Sequence, residues 1–316
     1  MKKLLSYLAL ALVLTGCVSS DALRVGTYNI RLETGDRNTP NAWEARKADL
    51  VALVRTLDLD VFGLQEVCPG QARYFREQLP EWDFVGDHRG ADRVTDEASP
   101  VFYRKSRFTA LRKGTFWLSE TPEVPASKSW NTCCTRVCSY LVLADRKTGR
   151  TFCFANTHTD HVSELAREKG MLLIIDRMKE FGAGAPVIFT GDHNCRENEK
   201  PAQTVSALLR NALYASETPP KGSWRSFEGW HWCEEEVSAV EALKYPMAVR
   251  NARRGSPDAQ MIDGRHPDEK FGPRIDYIYV SPGIRVLDYE TVNASRPGLK
   301  LYPSDHFPVT ATVVLP

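Results

Sequence analysis

Five short polar clusters and one further carboxylate punctuate this chain. They are Asn29, Gln65-Glu66, Asn156-Thr157-His158-Thr159-Asp160-His161, Gly191-Asp192-His193-Asn194 and Ser304-Asp305-His306-Phe307-Pro308-Val309, with Asp276 inside Arg274-Ile275-Asp276-Tyr277. The clusters stand at the ends of apolar runs, and the last sets a carboxylate beside an imidazole. Polar side chains at strand ends are where folds built on sheets place their chemistry. The inventory holds carboxylates, amides and imidazoles but no nucleophile motif. That combination suits a hard metal ion and an activated water.

Strands and helices must carry these side chains to one place. Residues 23–30 alternate as a first strand, and residues 31–40, with Gly35 and Pro40, form a loop. Asn41 with Glu44 three residues on has the form of a capping box. It opens a helix over 42–57, where Trp43, Leu50, Val54 and Leu57 recur at helical spacing. Residues 60–65 read as a short buried strand ending at Glu66, followed by a helix near 70–79 and a strand near Phe84. The charged stretch 86–98 reads as a mobile loop. Residues 100–103 form a strand, and 139–145 with 150–156 form a hairpin turned at Lys147-Thr148-Gly149. Met171, Ile174, Ile175 and Met178 mark one face of a helix over 163–181. A buried strand over 186–190 delivers Gly191-Asp192, and a helix spans 202–213. Residues 216–272 are irregular and rich in aromatic and charged side chains; 275–280 and 308–315 close the chain as strands. No linker divides residues 23–316, so the expectation is a single α+β domain with two sheets packed face to face and helices outside.

The chain has 316 residues, 42% hydrophobic and 26% charged, which excludes wholesale disorder and supports a sizeable core. Lys2-Lys3 precede an apolar stretch too short to span a bilayer. Leu14-Thr15-Gly16-Cys17 then resembles a bacterial lipobox. The resemblance implies removal of residues 1–16 and lipid on the Cys17 sulfur, with 17–22 as a tether. The domain is thereby expected outside the cytoplasm, anchored to a bacterial membrane at the periplasm or cell surface. An ordinary secretory signal is the alternative. Losing Lys2 and Lys3 takes 41 basic side chains to 39, against 40 acidic ones, so the mature net charge is −1. Such a surface attracts polyanions weakly, which counts against a scavenging nuclease. Seven of the eight cysteines remain beside Cys17, an odd number. Export permits disulfides. Cys133, Cys134 and Cys138 lack the paired spacing of a zinc ribbon, so they read as disulfides or buried thiols.

In order, Tyr-Asn, Leu-Gln-Glu, Asn-Thr-His-x-Asp-His, Gly-Asp-x-Asn, Arg-Ile-Asp-Tyr-Ile and Ser-Asp-His-x-Pro-Val resemble the motifs of the endonuclease/exonuclease/phosphatase superfamily. The resemblance covers residues 23–316 and implies a four-layer αββα sandwich. It also implies hydrolysis of a phosphoester, whether a nucleic acid, a phospholipid, or a sugar or inositol phosphate. A divalent cation would neutralise the phosphate charge. Glu66 is the expected metal anchor, with an oxygen of Asn29 on the same ion or its water and Asp305 opposite. Oxygen donors without cysteine suit Mg2+, or Mn2+. Asp192 is expected to orient or deprotonate the attacking water, and Asn194 to hold that water or a phosphate oxygen. His306 is expected on the phosphate or a proton, its tautomer set by Asp276. His158 is a second imidazole on the phosphate. Arg136, Trp224 and Trp230 are the expected substrate contacts, and His193 a pocket wall. Asp160 and His161 are divided between site support and loop structure. A catalytically inactive module that binds a phosphorylated ligand is the alternative.

Overall fold

Alternation along the strands sorts side chains to two faces, and the faces explain the layers. The computed structural model describes residues 21–316 except 93, 94, 235, 257, 258 and 260. Its first elements are β1 (Leu23–Asn29), α1 (Trp43–Leu57), β2 (Val61–Gln65), α2 (Pro69–Gln78), β3 (Trp82–Val85), β4 (Val101–Arg104) and β5 (Phe108–Trp117). Then follow β6 (Val137–Asp145), β7 (Thr151–His158), α3 (Glu164–Phe181), β8 (Val187–Asp192), α4 (Lys200–Ser206), β9 (Arg210–Asn211) and α5 (Ala212–Ala215). The chain closes with β10 (Lys221–Gly222), α6 (Ala239–Ala242), α7 (Met247–Arg250), α8 (Pro267–Phe271), β11 (Asp276–Val280), β12 (Arg285–Thr291) and β13 (Val309–Val314).

A seven-stranded sheet runs β10-β12-β13-β1-β2-β4-β3, and a six-stranded sheet runs β5-β6-β7-β8-β11-β9. Three neighbouring pairs are parallel: β1 with β2, β7 with β8, and β10 with β12. Leu23, Val25, Leu141, Leu143, Phe152, Phe154, Ile188 and Ile278 turn inward and form the core between the sheets. The opposite phase of the first sheet, with Tyr28, Phe62 and Phe102, packs on Trp43, Leu50 and Phe75 of α1 and α2. That of the second sheet, with Cys138, Tyr140, Cys153 and Phe189, packs on Met171, Ile174 and Met178 of α3. The result is the expected four-layer sandwich.

Where the sheets meet behind one open end, Gly63 faces Asn156. A Cβ at Gly63 would fall 2.1 Å from the Asn156 side chain, so only glycine permits the approach. The Asn156 amide donates to the carbonyls of Leu64, Ser99 and Pro100 at 2.8, 3.2 and 3.1 Å. Its oxygen accepts from Gln65 Nε2 at 2.7 Å and Thr190 Oγ1 at 3.1 Å. This pins one sheet to the other immediately below the polar strand ends.

Several local expectations change. Asn41 does not cap α1: Ala42 precedes the helix with no side-chain cap, and the Asn41 carbonyl accepts from Arg46 Nε at 2.9 Å. The helix expected over 202–213 stops at Ser206, because Arg210-Asn211 pairs with Val280-Tyr279 and Asn211 caps α5. β5 and β12 were not anticipated. The middle of β5 faces solvent and both strands carry a bulge, so neither shows a clean two-residue period. The described part of 86–98 is tied down by the Val67–Ala98 bridge and by Arg89 Nη2 on Glu97 Oε1 at 2.6 Å. Residues 1–20, with Cys17, lie outside the described residues. Among the described residues no helix is long and apolar enough to cross a membrane, and none of the seven cysteines is joined in a disulfide.

Candidate active site

Register gathers the polar strand ends. Asn29 pairs with Gln65 across the parallel β1 and β2, so Glu66 follows directly beside it. His158 stands opposite Asp192 across the parallel β7 and β8, and antiparallel β11 brings Asp276 opposite Asp192 from the other side. β13 runs antiparallel to β1, with Thr27 opposite Val309, so the chain just before β13 returns over the Asn29 end. There Ser304 Oγ donates to the Asn29 carbonyl at 2.7 Å. Arg46, buried to 1% exposure, holds the same corner by donating to the carbonyls of Pro303 at 3.0 Å and Arg31 at 2.8 Å.

The side chains form one continuous network. Asn29 Nδ2 donates to Glu66 Oε1 and to Asp192 Oδ2, both at 3.0 Å, while its oxygen accepts from the Arg31 N–H at 3.0 Å. Asn29 thus acts as a donor bridging two carboxylates, where an oxygen ligand was expected. Glu66 Oε2 accepts from the Leu32 N–H at 2.9 Å, and Glu66 itself sits at φ 61°, a strained setting for a side-chain-bearing residue. Asp192 Oδ1 accepts from the Asn194 N–H at 2.9 Å. Its Oδ2 lies 3.4 Å from His158 Nε2 and 3.7 Å from His306 Nε2. His306 Nδ1 meets Asp276 Oδ2 at 2.8 Å, and the same oxygen accepts from Ser226 Oγ at 2.7 Å.

Burial and charge set the protonation states. Burial, reinforced by the neighbouring Asp276 carboxylate, pushes Asp192 up to about 7. Burial alone would lower His306, but the Asp276 carboxylate overrides it and raises the imidazole to about 10. His306 is therefore a cation, and Asp276 fixes its Nδ1 as a donor. His158 is held well below the ordinary imidazole range by burial and by the Arg136 and Arg89 guanidiniums.

Glu66, His158, Asp192, Asn194, Asp305 and His306 line a cleft of about 360 Å³, whose wall also includes Arg31, Arg89, Glu97, Arg136, His161 and Phe227. Burial pushes Glu97 and Asp305 upward, and Glu66 adds to both. Carboxylates crowded on one cleft present negative oxygens that a bound cation would neutralise. Glu66, Asp192 and Asp305 offer oxygen donors suited to a hard one. The donor atoms of Asp192, Asp276 and His306 also lie within 4.8 Å of one another. Asp276 and His306, however, already engage each other, which favours the Glu66 side. Arg136 is only 5% exposed, and its Nε and Nη1 have no partner. Its Nη2 meets His161 Nδ1 at 3.0 Å, so two of the three nitrogens of a buried guanidinium facing the cleft are left for an anion.

Residues 26–306 match the model of the endonuclease/exonuclease/phosphatase family. The chain belongs to this family. Members of the endonuclease/exonuclease/phosphatase family are phosphoester hydrolases. Among solved structures, an endonuclease/exonuclease/phosphatase from Bacteroides vulgatus is 28% identical with a TM-score of 0.75, the match covering 93% of this chain and 99% of that one. The Bacteroides thetaiotaomicron mannosyl-6-phosphatase is 29% identical with a TM-score of 0.75, over 93% and 100% of the two chains. The human Nocturnin catalytic domain, 17% identical with a TM-score of 0.64 over 94% of each chain, shares the fold. No curated protein matches the chain.

In this endonuclease/exonuclease/phosphatase member, three expected contacts move. Trp224 is wholly buried, with the guanidiniums of Arg250 and Arg274 at 5.2 and 4.9 Å from its ring, so it is core and not a substrate contact. Trp230 is half-buried with Arg46 over its ring at 5.5 Å and does not line the cleft. The aromatic at the site is Phe227, whose ring centroid is 4.8 Å from that of His306. His193 leaves the pocket for the outer face of its sheet, where it stacks on Tyr279 at 5.7 Å, because strand alternation turns it away from Asp192. Asp160 is a loop organiser: its Oδ1 accepts from the Val162 and Ser163 N–H groups at 2.9 and 2.7 Å.

The reading of motifs missed Ser226, Arg31, Arg89 and Glu97. Ser226 Oγ donates to Asp276 and accepts the Ile275 and Asp276 N–H groups, each at 3.0 Å. Ser226→Ala is expected to lower kcat about 10- to 100-fold through a loosened Asp276–His306 pair. KM should stay nearly constant, because Ser226 lies outside the cleft wall. A rise in KM with kcat preserved would contradict that positioning role.

Proposed function

We propose that this chain is an exported, lipid-anchored, divalent-metal-dependent phosphatase acting on a small phosphorylated sugar or polyol. The observation that carries the hydrolytic reading is the triangle of Asp192, His158 and His306 beside the Glu66 carboxylate, with Arg136 Nε and Nη1 unpartnered in the wall of the same cleft. Arg136 and the cationic His306 would bind the phosphate oxygens, and Arg31 and Arg89 would add positive potential at the cleft wall. Asp192 takes the proton of a water placed in line with phosphorus. The phosphorus–ester bond breaks as the new phosphorus–oxygen bond forms; the cationic His306 stabilises or protonates the departing oxygen, and the neutral His158 donates a hydrogen bond to the phosphate. Glu66 and Asp305 would hold Mg2+ or Mn2+, which when bound supplies charge neutralisation at the phosphate. Phe227 offers an apolar face to the carbon skeleton of the alcohol.

The small substrate is supported by a cleft of about 360 Å³, by the likeness to a mannosyl-6-phosphatase and by the near-neutral chain, which gives little general attraction to polyanions. A panel of sugar phosphates, inositol phosphates, sphingomyelin, single- and double-stranded DNA, RNA and a chromogenic diester tests it, with Mg2+ and with a chelator. Turnover should be highest on a phosphomonoester, fall at least about 100-fold with chelator and vanish in Asp192→Ala. Preference for DNA or a lipid diester would overturn the substrate. No turnover of any phosphoester would leave the inactive binding module. The anchor rests on Leu14-Thr15-Gly16-Cys17. Labelled palmitate fed to a bacterial host should enter the wild-type protein and not Cys17→Ser; equal labelling of both sinks the anchor.

A further inference from the structure

The geometry points to a second metal site, of soft character, formed by Cys133, Cys134 and His161 at the mouth of the cleft. It takes a thiophilic divalent cation such as zinc, and it does not depend on the hydrolytic reading.

The site joins two loops. Cys133 and Cys134 lie between β5 and β6, and His161 follows β7. Asp160 locks the loops together: its Oδ2 accepts from Thr132 Oγ1 at 2.6 Å and from the Cys133 N–H at 3.0 Å. The two sulfurs are 3.4 Å apart, and Cys133 Sγ is 3.6 Å from His161 Nδ1 and 3.9 Å from His161 Nε2; Arg136 Nη2 engages Nδ1 at 3.0 Å, which leaves Nε2 as the metal donor. One donor atom from each residue can be chosen so that all three lie within 4.8 Å of one another. Around a tetrahedral zinc with bonds of about 2.3 Å to sulfur and about 2.0 Å to nitrogen, the sulfur–sulfur edge is about 3.8 Å and the sulfur–nitrogen edge about 3.6 Å. The Cys133–Cys134 and Cys133–His161 separations already stand within about 0.5 Å of those edges. Cys138, grouped with the pair by sequence, is buried beneath α3 and takes no part.

Charge supports the assignment. Two thiolates and a neutral imidazole balance a dication. Without metal, Cys133 Sγ donates to Asp160 Oδ2 at 3.0 Å. Thiolate ligands bind as the deprotonated form, so loading displaces the thiol protons, and the cation offsets the repulsion between the Cys133 thiolate and Asp160. Thiolate and imidazole donors select a softer ion than the oxygen donors of Glu66 and Asp305. Cys134 and His161 also lie on the cleft wall, which places the cluster beside the oxygen-rich site.

The test is titration of the reduced, metal-stripped protein with Co2+ under excess Mg2+, which keeps the oxygen-rich site occupied. One equivalent should give a thiolate-to-cobalt absorption band, displaced by zinc with release of about two protons. The band should disappear in Cys133→Ser and in Cys134→Ser, persist in Cys233→Ser, and need at least about 10-fold more metal in His161→Ala. Zinc should also shield Cys133 and Cys134 of the wild-type protein from alkylation, mapped by peptide mass, which requires no substitution. Absence of the band, its survival in Cys133→Ser, unshielded thiols, or oxidation to a Cys133–Cys134 disulfide without metal uptake each overturns the site.

Discussion

Asp192→Asn should lower kcat by about 10²–10⁴-fold while raising the melting temperature of the metal-free protein. The loss follows from replacing the proton acceptor with an amide of the same shape. The gain follows from burial: Asp192 is 1% exposed, and its folded-state value of about 7 lies above the unfolded 3.8. Between those values the folded protein holds a proton that the unfolded chain releases. Stability of the wild type therefore falls as pH rises from about 4 to about 7. The amide has no such penalty, so the gap in melting temperature should widen over that interval. Paired thermal scans in chelator at pH 5 and pH 8, with single-turnover kinetics on the metal-loaded proteins, check both halves. Turnover above a tenth of wild type would remove Asp192 from proton transfer. A wild type more stable than the variant at pH 8 would show that its carboxylate is well compensated.

Glu197→Ala is expected to cost about 3–5 kcal/mol of folding stability, the range for stripping one partner from a buried ion pair. Glu197 accepts from Arg274 Nη2 at 2.5 Å, Arg250 Nε at 2.9 Å, Asn251 Nδ2 at 2.7 Å and the Tyr214 hydroxyl at 2.5 Å. Arg274 is 1% exposed, so water cannot replace the carboxylate. Trp224 fills the space against both guanidiniums, which makes this cluster the keel of the irregular segment leading to Asp276. Denaturant unfolding measures the cost, and Glu197→Ala with Arg274→Met should recover part of it. A loss below about 1 kcal/mol would show that the cluster is solvated or redundant.

The strand-end residues were legible because two periodicities coincide. Period-two alternation puts Asn29, His158, Asp192 and Asp276 on inward-facing phases, and parallel or antiparallel register then levels their ends. A reader of the chain needs only the strand boundaries to place them. Ser226 and Glu197 sit where no period exists, and their partners are 50 and 77 residues away, so no local signal marks them. The aromatic segment shows the same limit. Trp224, Phe227 and Trp230 look interchangeable as a string, yet the chain buries the first, aims the second at His306 and lays the third against Arg46. The sandwich itself was clear from apolar runs, and the missed strands β5 and β12 are those whose bulges and solvent-facing residues blur alternation.

The corner where Asn29 and Ser304 meet also bears on when activity can arise during synthesis. β13 is an interior strand wedged between β1 and β12, and it follows His306. β1 has β2 beside it early, but its other neighbour, β13, is made last, so the two ends of the cleft close on each other only when the chain is translated nearly to residue 314. Shorter chains lack Asp305, His306 and the strand that follows them, so the cleft is the last part of the sandwich to be completed.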